Sequence, residues 1–171
     1  PSDEYGRGVY MADVLTGNCV WYHSHRGGDG NMDYCIPSDV TKLDLNGDGR
    51  IDRIYVGDTN ARLWRFEIGD LNHDNNSDPN EWTGRIIFKS NSGSSARKMF
   101  YPPDVTLEKD YEMLFFGTGD REDPKSNKEM DRIYAFKDKN VSTKTEADLV
   151  DVTDDLLQTG TSVQQKTIKD A

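Results

Sequence analysis

Basic residues are the first shortage. The chain carries 21 Lys and Arg against 31 Asp and Glu, a net charge of −10. A surface of that sign excludes bare nucleic acid or an anionic membrane as the main partner. No apolar run reaches the length needed to span a bilayer, and no signal peptide opens the chain. The sequence begins at Pro1 without a methionine and reads as a piece of a longer protein. No Ser/His/Asp or Cys/His set stands at a diagnostic spacing, so no enzyme activity is expected. The glycines of Gly117–Asp123, GTGDRED, lack the remaining phosphate-loop spacing and read as a turn.

Cysteine is also scarce. Cys19 and Cys35 are the only two, 16 positions apart. They fit a single disulfide in an exported protein, the alternative being two reduced thiols. His23 and His25 lie between them, but Cys–His–His–Cys at this spacing matches no familiar zinc pattern.

What is present is short strands and acidic turns. Gly6–His23, Asp52–Ile68 and Tyr111–Asp138 each read as strand, turn, strand with aromatic residues. Tyr10 and Tyr55 are 45 positions apart, Trp21 and Trp64 43. A period of that size, built from short antiparallel strands, marks propeller blades. Further strands are expected at Val40–Leu43, Ile86–Phe88 and Val105–Leu107. Trp21, Trp64 and Trp82 are expected to pack blades together. The fold class is therefore all-β, a partial β-propeller over residues 1–138, followed by a polar tail over 139–171. The tail ends in a helical or frayed segment and should contribute little core.

Six of the 31 acidic residues fall in two short loops, 44–52 and 70–78. In the first, Asp44, Asn46, Asp48 and Asp52 occupy positions 1, 3, 5 and 9. Gly49 stands at position 6, and the position-7 carbonyl comes from Arg50. Calcium wants six to eight hard oxygens, and this order follows the first nine positions of a calcium loop. Tyr55 replaces the glutamate that closes an EF-hand at position 12, so Asp52 closes a shortened loop. A turn alone needs one or two such residues. Three aspartates in register repel one another unless a cation neutralises them. The second loop repeats the pattern with Asp70, Asn72, Asp74, Asn76 and Asp78, and Glu81 stands at position 12. Asn75 replaces the glycine and Pro79 stiffens the end, so an ordinary solvated turn is the alternative.

The order acidic loop, DRIYVGD, short turn, LWRF over Asp44–Phe66 resembles the C-terminal propeller of PilY-family type IV pilus proteins. The flanks VYMADVLTGNCVW, MLFFGTGDRED with DRIYAFKD, and LVDVTDDLLQTGT are similar as well, so the resemblance spans about residues 8 to 160. It implies a calcium-binding, pilus-associated protein at the cell surface or on the periplasmic or outer-membrane face. Such a protein promotes pilus assembly or extension, opposes retraction, and supports twitching motility and adhesion. Implied partners are pilins or minor pilins, the rest of the propeller with its N-terminal region, and a host or surface ligand. The resemblance does not extend to loop 70–78 or to the cysteine pair. Two alternatives remain at this point: an integrin-like secreted calcium-binding adhesion module, and a fragment of a quinoprotein-type propeller enzyme.

Overall fold

The computed structural model describes residues 5–27, 31–70, 74, 77–90, 97–140 and 142–169. Among these residues, ten strands form three sheets. A two-stranded sheet pairs β1 (Gly8–Ala12) with β2 (Cys19–Ser24). The middle sheet is an antiparallel meander of β3 (Thr41–Leu43), β4 (Arg53–Gly57), β5 (Arg62–Glu67) and β6 (Thr83–Lys89). The third contains β7 (Asp104–Leu107), β8 (Glu112–Gly117) and β9 (Ile133–Asp138), all antiparallel. The strands expected at 40–43, 86–88 and 105–107 are β3, β6 and β7, with ends shifted by a few residues.

The sheets stack like propeller blades, with the middle one covered on both sides. Alternation along each strand sends side chains to opposite faces. Ile54, Val56, Trp64 and Phe66 meet Val9, Met11 and Trp21 of the first sheet. Tyr55, Leu63 and Phe88 meet Leu114, Phe116, Tyr134 and Phe136 of the third. Coverage on both faces explains why Arg62 to Phe66 are all buried, although the run includes two arginines. A bulge at Leu63/Trp64 makes Ile87 the extra residue on β6. Ile86 therefore faces the first sheet, while Ile87 and Phe88 both enter the other core. The tryptophans do pack blades: Trp21 lies edge-on to Phe66 at 5.8 Å and to Trp82 at 6.0 Å. Burying one such side chain contributes about 1.5–3 kcal/mol.

Asp58 organises the β4–β5 turn. It is fully buried, and its carboxylate accepts the Asn60 and Arg62 N–H groups at 2.9 Å. The same carboxylate takes Arg62 Nε and Trp64 Nε1, each at 3.0 Å. The Asp of YVGD and the Trp of LWRF are thus one hydrogen-bonded unit.

One sequence expectation is corrected. The Cys19–Cys35 disulfide is absent. Cys19 Sγ donates to Trp21 O at 3.4 Å, and Cys35 Sγ to Tyr5 O at 2.7 Å. Cys19 is exposed on β2, and Cys35 is held by the chain segment before β1, so the thiols are anchored to different parts of the backbone. The polar tail adds one short strand. β10 (Lys144–Thr145) returns to the middle sheet and pairs in parallel with Phe88 and Lys89 of β6. Leu149 packs on the core there. Beyond it, α1 (Leu156–Thr159) and α2 (Ser162–Lys169) bury no residue, in keeping with a polar tail of little core.

Candidate metal centre

In a meander, every second connection emerges at the same end of the sheet. The β3–β4 and β5–β6 connections, which carry the two acidic loops, are therefore neighbours. Both border one cleft of about 1010 Å³, where Asn46, Asp48, Arg50 and Asp52 face Asp70 and Ser77. Arg53, Arg65 and Glu67 of the middle sheet also line it.

Loop 44–52 is folded around its own carboxylates. Asp44 Oδ1 accepts the Gly47 N–H at 2.7 Å and the Asp48 N–H at 3.2 Å, and Oδ2 accepts the Gly49 N–H at 2.8 Å. Asn46 Oδ1 takes the Asp48 N–H at 2.9 Å, and Asp48 Oδ1 takes the Arg50 N–H at 2.8 Å. Asp52 Oδ2 accepts the Leu45 N–H at 2.7 Å and so closes the loop. Gly47 and Gly49 have φ of +78° and +85°, which side-chain-bearing residues rarely adopt. These amide bonds, that from Gly49 foremost, hold the Asp44 carboxyl below its ordinary range.

Three carboxylates, one amide oxygen and a backbone carbonyl within nine residues are the kind of oxygen donors that suit a hard divalent cation. An oxygen that accepts one N–H keeps a second lone pair for a metal. Among the described residues, no group of three or more His, Cys, Asp or Glu side chains is gathered at ligating range. The carboxylates of Asp44, Asp48 and Asp52 are instead each turned onto the loop backbone.

The second loop repeats one element of the first: the Asp74 N–H donates to Asp70 Oδ1 at 3.2 Å, as Asp48 does to Asp44. Asn72 and Asn76 lie outside the described residues. Asp78 is turned away onto Asn80, accepting its N–H at 2.9 Å and its Nδ2 at 2.8 Å. Glu81 N–H bonds Asp78 O at 3.0 Å in the same turn. Among the described residues of this set, Asp70 alone lines the cleft together with the first loop.

Sequence reasoning missed Gly69. A Cβ there would sit 2.6 Å from Asp52 Oδ1 and 3.2 Å from Asp52 Cα. Glycine is required because the two loops touch at this point. The signal was available in the order of strands, since a meander brings residues 52 and 69 to one end.

Among solved structures, the chain is similar to the crystal structure of the Pseudomonas aeruginosa PilY1 C-terminal domain. The TM-score is 0.63 at 22% identity, and the match covers 81% of this chain and 34% of that one. The chain thus spans about a third of the solved domain. No family model matches the sequence, and no curated protein matches it. The likeness establishes a shared, propeller-like fold.

Proposed function

We propose that this chain is the calcium-holding part of a non-enzymatic, type IV pilus-associated surface protein that promotes pilus assembly or extension and supports twitching and adhesion. The observation that carries the reading is the placement of loop 44–52. It joins β3 to β4 on a blade of a fold shared with the PilY1 C-terminal domain, with LWRF on the next strand. Calcium would be held by Asp44, Asn46, Asp48 and Asp52, with the Arg50 carbonyl. When bound, it supplies positive charge that offsets the repulsion among the three carboxylates. Loop 70–78 is a second candidate site, sharing the cleft through Asp70. The protein would be exported and act beside pilins or minor pilins, with the rest of the propeller completing the surface that meets a host or substratum. No helix among the described residues is long and apolar enough to cross a membrane.

The reading is tested in the source bacterium with the full-length gene carrying Asp48→Ala. Surface pili and twitching zones are expected to fall and to lose their response to external calcium, with protein levels unchanged. Wild-type piliation and calcium response in the variant would reject it.

A substitution outside the ligand set gives a second check. Gly69→Ala should weaken calcium binding about tenfold by displacing Asp52, close to the effect of losing one charge-assisted hydrogen bond. Titration calorimetry of both proteins measures this, and equal affinities would show that the contact between the loops does not shape the site.

A further inference from the structure

The cleft contains a second system of charges, and it begins at the residue after the last loop ligand. Asp52 is pinned by its backbone: its N–H donates to Leu43 O at 2.8 Å, and its carbonyl accepts the Ile68 N–H at 2.9 Å. Arg53 follows directly. Its Nε donates to both oxygens of Glu67, at 3.2 and 3.1 Å, within the middle sheet. Its Nη1 crosses to the third sheet and donates to Glu112 Oε1 at 2.5 Å. Glu67 is shared with Arg65, whose Nη1 reaches Asp138 Oδ2 at 2.8 Å at the end of β9. Tyr55 Oη donates to the same oxygen at 2.8 Å. Two guanidinium groups of the middle sheet, joined through Glu67, thus hold two carboxylates of the third. The Arg53 and Glu112 side chains are only 12% and 15% exposed, so water screens this bridge little.

The geometry points to a relay: the state of loop 44–52 sets the position of Arg53, and Arg53 with Glu67 sets how firmly the third sheet docks on the middle one. The relay rests on the calcium reading above. Arg53 touches no cation and is a positioning residue. Without neutralising charge, the carboxylates of Asp44, Asp48 and Asp52 repel. The loop relaxes by opening at its closing residue, Asp52. That motion frays the start of β4 and draws Arg53 away from Glu112. Linkage makes the coupling reciprocal: docking of the third sheet must raise calcium affinity by the factor by which calcium tightens docking. Glu112 lies on another sheet from the loop, yet its loss should weaken calcium binding.

The experiment is amide hydrogen exchange on the whole chain with and without calcium, paired with calorimetry, for wild type, Arg53→Met and Glu112→Gln. In wild type, calcium should slow exchange in Glu112–Gly117 and Ile133–Asp138 by about tenfold, as well as in the loop. Both variants should retain slowing in residues 45–52 but lose it in the third sheet. Glu112→Gln should bind calcium about tenfold more weakly. Glu112→Gln preserves shape and keeps the test intact if Arg53→Met fails to fold. Arg53→Lys should restore part of the transmitted slowing, since one bond to Glu112 can re-form. Slowing confined to the loop in wild type, or transmitted unchanged in both variants, would overturn the relay while leaving the calcium site standing. No calcium heat and no slowing within the loop would instead overturn the calcium reading, and the relay with it.

Discussion

Asp58→Ala should lower the unfolding free energy by about 3–5 kcal/mol, the cost of breaking a buried ion pair from one side. The substitution strands the Trp64 Nε1–H and leaves the Arg62 guanidinium only the longer contacts to Asn31 O and Asp33; both groups donate to Asp58 Oδ2 at 3.0 Å. It also removes the acceptor for the Asn60 and Arg62 amides that shape the turn. At about 2–4 °C per kcal/mol for a chain of this size, the melting temperature falls by roughly 6–20 °C. Burial pushes the Asp58 carboxyl up, against the pull of Arg62. The charge is therefore costly to keep, and the neutral isostere should be milder: Asp58→Asn is expected to lose about 1–2 kcal/mol. Thermal and urea unfolding followed by tryptophan fluorescence measures both, since Trp64 is bonded to the substituted group. A melting temperature within a degree or two of wild type for Asp58→Ala would show that the YVGD–LWRF unit is held by packing alone.

Calcium itself should stabilise the chain, and loop 44–52 should carry the effect. A ligand that binds only the folded state at about one hundred times its dissociation constant adds about 2.7 kcal/mol. That corresponds to a rise of roughly 5–10 °C in melting temperature for a chain of this length. Asp48→Ala removes a carboxylate from position 5 and the acceptor of the Arg50 N–H. It should abolish most of the calcium-dependent rise while changing the melting temperature in EGTA little, because Asp48 is exposed. An undiminished rise in the variant would move the principal site away from this loop. Acid should act in the same direction as the substitution. The Asp44 carboxyl is held low in the folded state. Its contribution is present above the ordinary carboxylate pKa and is lost only as pH falls through the lowered value.

The strands and the first loop were legible because their signals are local. The apolar and aromatic runs of Arg53–Gly57 and Arg62–Glu67, the Asp-Thr-Asn turn between them, and the oxygen-bearing side chains at every second position of Asp44–Asp48 each lie within a few residues. What escaped was long-range. The parallel pairing of Lys144–Thr145 with Phe88–Lys89 joins two polar residues to a strand more than fifty positions earlier, and no periodicity marks it. The ion network of Arg53, Glu67, Arg65, Glu112 and Asp138 looks in sequence like scattered surface charge, although Arg65 and Asp138 are buried. The shared cleft follows from strand order, which the sequence implied but which had to be assembled before residues 52 and 69 could meet. The disulfide reading failed for the same reason: spacing along the chain says nothing about where β2 places Cys19 relative to the segment that holds Cys35.

Calcium binding by Asp44–Asp52 is read out by isothermal titration of EGTA-stripped protein with calcium, beside Asp52→Ala. A binding event is expected in the wild type and should disappear in the variant. A second event surviving in the variant would assign the other ion to loop 70–78. Absence of binding in the wild type, or full retention in Asp52→Ala, would contradict calcium binding by Asp44–Asp52.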